Sequence, residues 1–277
     1  MIDQLKECKI VDNGPIRTTL CFIWEFPQGE MIQYVHSYRH TKRLDFETEV
    51  LWNARQKLLK VEFPVEIRST EAIYDIQFGN VKRPTHWNTS WDMARFETVG
   101  HKWAALAEPY YGIGLLNNSK YGYSIKNHVL ALSLLKGSVY PDPHADLGKH
   151  HFTYSLYPFG GIACKHEVER EATYLNSELR VLPGKVKQEF EQCLFSVTSE
   201  QVILDTIKKA EDRESIILRL HEMEGSTTRV HIESSYKIRR WREVNMMEDE
   251  SYTDYQPAPL TLSFTPYEIK TIEVELE

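Results

Sequence analysis

Four side chains able to bind a metal or move a proton fall within eight positions. They are His144, Asp146, His150 and His151, in the stretch YPDPHADLGKHHFTYSLYPFGG at residues 140–161. Imidazole and carboxylate ligands at that density could hold a divalent cation, provided they converge on one point. Pro141 and Pro143 make the first part extended or turn-like, and Gly148 breaks any helix. If 150–157 is a strand, His150 and His151 point to opposite faces and do not easily share one ion. The expectation is a proline-braced loop over 140–149 leading into a buried strand, with no metal ligand assigned.

A second concentration lies in KRPTHWNTSWDMARFE, residues 82–97, which holds His86, Trp87, Asn88, Trp91, Asp92 and Arg95. It lacks strand alternation, so it reads as a long loop or a short helical turn. Asp92 and Arg95 are three apart and could pair across one turn. Loops of this make-up serve binding, or they close on themselves around their own tryptophans, and both readings stay open. NNSKYGYSIKNHV (117–129) reads as a hairpin in which Lys120 and Tyr121 either meet ligand or sit at a surface turn. No G-x-S-x-G, P-loop, G-x-G-x-x-G or serine-triad signature is present. A carboxylate pair for glycoside hydrolysis is defined by separation in space. Among 40 acidic residues, spacing alone nominates none.

The elements that must position these groups are strands. Leu59, Val61, Phe63, Val65 and Ile67 alternate with polar residues, as do Leu44, Phe46, Thr48, Val50 and Trp52. Pro64 lacks an amide proton, which puts its strand at an edge or on a bulge. TTLCFIWEF (18–26) and VLALSLL (129–135) read as more fully buried strands. RVHIESSYKIRRW (229–241), LTLSF (260–264) and IKTIEVELE (269–277) repeat the pattern late in the chain. Residues 185–194 and 200–212 carry a weak helical stripe, and the second is read as a strand. KHEVEREATYLNSELRVLPGKVKQ (165–188) is polar and loop-like. The class is all-β, built of sandwiches, with a soft boundary near 165–190 and sheet material on both sides of it.

Composition narrows the partners. The 277 residues carry a net charge of −7 with no basic block, which disfavours nucleic acid and anionic membranes. Aromatic content of 12% suits a β core or a sugar-binding surface. Cys8, Cys21, Cys164 and Cys193 show no C-x-x-C spacing, so they read as thiols in a reducing compartment. No export signal and no long apolar run is visible, which makes the cytoplasm the default and the two N-x-S/T matches chance. The chain opens directly into strand-like sequence, so a piece of a longer enzyme is an expectation.

With these residues assembled, a resemblance emerges. It is carried by FGNVKRPTHWNTSWDMARFE (78–97), HKWAALAEPYYGIGLLNNSKYGYSI (101–125) and LSLLKGSVYPDPHADLGKHHFTYSLYPFGG (132–161). It extends through LDFETEVLWNARQKLLKVEFPV (44–65), SVTSEQVILDTIKKAEDRESIILRLHE (196–222) and LTLSFTPYEIKTIEVEL (260–276). Together these resemble the C-terminal β region of glycoside hydrolase family 38, in the branch of cytosolic and bacterial α-mannosidases. The resemblance implies a parent enzyme that hydrolyses α-mannosides with retention. It places zinc and the nucleophile in an N-terminal catalytic domain that this chain lacks. It implies a large antiparallel β-sandwich (supersandwich) followed by a smaller C-terminal β-sandwich, with a main sandwich over 1–165, connecting strands completing it over 166–212, and a small β domain over 213–277. It implies that this β region is itself non-catalytic, packs on the catalytic domain and lends residues to one wall of the sugar cleft.

The residues expected at that wall are Arg83, His86, Trp91, Asp92 and Arg95 from the first loop, and Lys136, Asp142 and Asp146 from the second. Three positions depart from the family pattern. Lys136 stands where an arginine is the family's candidate, losing the bidentate fork. Phe159 stands where histidine is frequent, and NNSKYG lacks the Asp-Cys common before the lysine. The implied partners are a mannose-containing oligosaccharide or glycoside, the N-terminal catalytic domain and a possible homo-oligomer. A stand-alone carbohydrate-binding module or a protein-interaction module is the alternative.

Overall fold

Period-two alternation builds nearly the whole molecule. The computed structural model describes residues 2–177, 179–185 and 193–277. The chain forms two units, Met1–Ile76 with Val81–Glu178, and Gln77–Asn80 with Leu179–Glu277.

The first unit opens with four long strands: β1 (Gln4–Asn13), β2 (Arg17–Phe26), β3 (Gly29–Tyr38) and β4 (Leu44–Trp52). There follow β5 (Leu58–Pro64), β6 (Glu71–Ile76), β7 (Gly79–Pro84), the short helix α1 (Ser90–Ala94) and β8 (Thr98–Val99). The unit closes with β9 (Trp103–Ala107), β10 (Gly112–Asn117), β11 (Gly122–Lys126), β12 (Val129–Lys136), β13 (Gly148–Phe159) and helix α2 (Lys165–Asn176). A nine-stranded sheet in the order β1-β2-β3-β4-β13-β10-β9-β6-β7 faces a four-stranded sheet in the order β5-β12-β11-β8. The core between them holds Val50 and Trp52 of β4, Leu130 and Leu132 of β12, and Phe152 and Tyr154 of β13. Pro64 lies on β5, an edge strand, as its missing amide requires.

Two expectations are corrected here. The stretch 18–26 forms β2, but only Thr19 and Cys21 on it are buried. Nine strands oppose four, and burial falls off outward of β4: β3 is mostly half-buried, and β1 at the edge of the sheet is exposed along almost its whole length. The second correction is α2, which occupies sequence read as loop-like. Its apolar stripe is short: Val168 and Ala172, one turn apart and both fully buried, with Leu175 half-buried beyond them. Polar contacts complete the docking: Trp103 Nε1 donates to Glu169 Oε2 at 2.7 Å, Lys102 pairs with Glu169, and Arg43 Nη1 donates to Glu171 Oε2 at 3.2 Å. Gly114 on β10 makes room, because a Cβ there would lie 2.7 Å from Val168 Cγ1.

The second unit contains β14 (Phe195–Val197), β15 (Val202–Lys209), β16 (Ile216–Glu222), β17 (Thr228–Ser234) and β18 (Ile238–Val244). It ends with β19 (Gln256–Pro257), β20 (Leu260–Phe264) and β21 (Ile269–Leu276). A three-stranded sheet, β14-β17-β20, and a five-stranded sheet, β15-β16-β21-β18-β19, enclose Leu218, Val230, Trp241, Leu262 and Ile272. The 200–212 segment is a strand, as expected. The 229–241 run is two strands in different sheets. Most of 185–194 lies outside the described residues. Glu273, with no exposed side-chain surface, accepts from Ser215 Oγ at 2.7 Å, Arg213 Nε at 2.8 Å and Arg242 Nε at 2.7 Å. Burial raises its pKa, but these three donors outweigh it and hold the carboxyl below its ordinary value.

Candidate functional site

The 82–97 segment leaves β7, makes one short helix and returns as β8. Thr89 caps α1 in a reciprocal box: Asp92 N donates to Thr89 Oγ1 at 3.1 Å, and Thr89 N donates to Asp92 Oδ2 at 3.1 Å. Thr89 Oγ1 also donates to Asp92 Oδ2, at 2.8 Å. These bonds hold the Asp92 carboxyl below the usual carboxylate range against the small opposing effect of burial, and His86 and Arg95 add to them. The side chain of Asp92 is therefore engaged by Thr89, with His86 Nδ1 at 3.7 Å. Arg95 reaches Asp92 through the backbone, its N donating to Asp92 O at 3.2 Å.

Arg83, His86, Asp92 and Arg95 line one small cavity of about 40 Å³, together with Tyr74, Trp87 and Lys126. A volume of this size suits a water, not a sugar ring, so any larger ligand would meet these groups at the rim. The Arg83 guanidinium lies over the Tyr74 ring at 4.5 Å, and its Nη1 donates to Val99 O at 2.8 Å. Burial lowers its pKa, while Tyr74 pulls the other way. Lys126 Nζ sits 3.3 Å from the centre of the Trp87 ring, and burial, helped by Lys60, lowers its pKa. Trp91 is not part of the lining and is 78% exposed. Tyr74 and Lys126 were not among the residues read from the sequence, and Trp87 was read as part of the loop but not as a member of the wall. Tyr74 sits in an ordinary strand pattern, and no spacing links 126 to 87.

Lys136, Asp142 and Asp146 form a separate group. Asp146 Oδ2 accepts from Lys136 N at 2.7 Å, which closes the loop onto the end of β12. Asp142 Oδ1 accepts from His144 N at 2.8 Å, a local turn contact. Lys120 lies nearby in charge terms: burial lowers its pKa, Asp146 raises it, and its Nζ sits 4.7 Å from the Phe152 ring centre. The two groups stand at opposite ends of β12, since Lys126 pairs with Val129 and Lys136 pairs with Leu58. Seven residues of strand at roughly 3.3 Å each separate them by roughly 23 Å, too far for one sugar ring to touch both.

His150 and His151 face opposite sides of β13. His150 Nε2 lies 2.9 Å from Asp146 O, whereas His151 Nε2 lies 2.9 Å from Glu47 Oε1 on the neighbouring strand. Glu47 also meets His36 Nε2, at 3.1 Å through its other oxygen. Among the described residues, no group of three or more His, Cys, Asp or Glu side chains could hold a metal ion. The described residues thus do not fit a zinc site.

Comparison with known proteins gives the origin of this architecture. Residues 2–144 match the family described as "Glycosyl hydrolases family 38 C-terminal domain", and residues 201–272 match "Glycosyl hydrolases family 38 C-terminal beta sandwich domain". The chain belongs to glycoside hydrolase family 38. This family 38 C-terminal region is 40% identical to "Alpha-mannosidase G" of Dictyostelium discoideum over 95% of its own length and 26% of the relative's. It is 41% identical to mouse "Alpha-mannosidase 2C1", over 100% of this chain and 27% of that one. It therefore spans about a quarter of the curated relatives it matches. The fold is shared with the crystal structure of an alpha-mannosidase from Enterococcus faecalis V583, with a TM-score of 0.81 at 14% identity. That match covers 97% of this chain and 35% of the other. No helix among the described residues is long and apolar enough to cross a membrane.

Proposed function

We propose that this chain is the non-catalytic C-terminal β region of a retaining α-mannosidase. It packs on a zinc-bearing catalytic portion and contributes one wall of the cleft that holds a mannose-containing oligosaccharide or glycoside. The observation that carries the reading is the pair of family 38 C-terminal matches, one in each unit, alongside α-mannosidase relatives about four times as long. The zinc belongs to the catalytic portion. Free thiols at Cys8, Cys21 and Cys193 suit a reducing compartment, and we place the protein in the cytoplasm.

Two sets of side chains can supply the wall. Arg83, His86, Trp91, Asp92 and Arg95 offer cations, a carboxylate and an aromatic face. Lys136, Asp142 and Asp146 offer a cation and two carboxylates. Because they lie at opposite ends of β12, one sugar ring meets only one set. Arg83 and Lys136 are the members to change. In the longer enzyme, Arg83→Met or Lys136→Met should raise KM or lower kcat for the set that forms the wall and leave the other set silent. The 277-residue chain alone should show no turnover of an aryl α-mannoside, with or without zinc. Turnover by the isolated chain would sink the proposal.

A further inference from the structure

A pocket of about 560 Å³ opens in the first unit beside the 82–97 loop. Of the residues read from the sequence as site candidates, it involves only His86. Four segments form it: 65–70, 85–86, Glu108 and the Asn127–His128 turn. Backbone bonds lock these segments together. Val65 N donates to His128 O at 2.9 Å, Thr85 N to Thr70 O at 3.0 Å, and Asn127 N to Thr85 O at 2.9 Å. Thr85 Oγ1 donates to Ser69 O at 2.7 Å, and the buried Thr85 and Ile67 belong to the lining. The pocket is held in shape before any ligand arrives.

Glu108 is fixed from three sides. Its N–H donates to Tyr111 O at 2.8 Å, its carbonyl accepts from Ile162 N at 3.2 Å, and its Oε1 accepts from Arg68 N at 3.0 Å. Oε2 has no protein partner among the described residues, and neither do the side chains of Glu66, Arg68, Asn127 and His128. This set contains the anchored Glu108 carboxylate, the exposed Glu66 carboxylate, a five-donor guanidinium, and an amide and an imidazole that each donate and accept. An apolar ligand would desolvate them with nothing in return. An anion would face two carboxylates against one guanidinium. A cation would face Arg68 and find no aromatic cage.

We infer that this pocket binds a neutral saccharide. Hydroxyl groups both donate and accept, so adjacent sugar hydroxyls satisfy carboxylate, guanidinium and amide at once. The volume lies within the usual range for small-molecule sites. The inference does not depend on the mannosidase role. A chain that lends nothing to hydrolysis would still bind sugar here, so either reading can fail without the other.

The test is an NMR titration of the isotopically labelled 277-residue chain with methyl α-mannopyranoside, methyl α-glucopyranoside and inorganic phosphate. At least one glycoside should shift the amides of 66–70, 85–86, 108 and 127–128 saturably. Arg68→Met and Glu66→Gln should each weaken that binding about tenfold or more. Lys42→Gln, outside the pocket, should leave it unchanged. Should Arg68→Met disturb the spectrum generally, Glu66→Gln carries the test, because its side chain has no partner among the described residues. Absence of a saturable glycoside shift, shifts confined to another surface, or a response to phosphate alone would each overturn the inference.

Discussion

Asp92 takes Thr89 as its partner, not Arg95, and that choice sets the shape of the first candidate loop. Thr89→Ala removes the cap of α1 and should cost about 1 kcal/mol, with faster amide exchange at Asp92 as the readout. Unchanged exchange would mean that the tryptophans alone hold the loop. Glu47 behaves differently, because it joins two histidines on neighbouring strands. The hydrogen bond from His151, then that from His36, lowers its pKa against burial. A carboxyl with a depressed folded pKa stabilises above its unfolded value, about 4.3, and that contribution is lost as pH falls through the folded value. Glu47→Gln should therefore flatten the acid limb of stability between about pH 5 and 3, measured as the urea midpoint against pH. An unaltered limb would show that Glu47 contributes nothing to acid stability. The 82–97 cluster was legible in the sequence because its members are neighbours along the chain. The Lys126–Trp87 contact was not, since nothing in either neighbourhood points to the other.

At the scale of elements, alternation identified β4, β5, β20 and β21 because each has one face on a core, and a continuous apolar run identified the more fully buried β12. The same kind of run misled elsewhere. It overstated β2, whose residues are apolar enough for a core although burial falls off outward of β4. It missed α2 for the opposite reason: the helix docks through Glu169 and Glu171 as much as through Val168 and Ala172. That gives a direct test. Glu169→Ala strands the buried Trp103 N–H and should lower stability by about 2 kcal/mol in urea unfolding. Glu169→Gln keeps an acceptor for the indole and should lose less. Equal losses would assign the effect to the Lys102 charge pair instead.

For the whole molecule, two β-sandwiches in sequence were legible from strand spacing and turn chemistry. The 560 Å³ pocket was not, because it draws on four segments up to sixty residues apart that no periodicity connects. The β1 edge of the nine-stranded sheet has a further consequence. Ten residues of strand paired only with β2 among the described strands are a template on which a foreign strand could add and begin polymerisation. β1 is interrupted, however, by extra residues at Lys6 and Val11, leaving only Glu7–Ile10 as an unbroken run between them. Bulges twist a strand and break its ladder, so an incoming chain finds no long register to copy. Deleting Val11 should restore that register and raise light scattering at high concentration, whereas an unchanged signal would credit the charges of Lys6 and Lys9. The irregularities of β1 thus serve as a brake on growth of the sheet beyond its own chain.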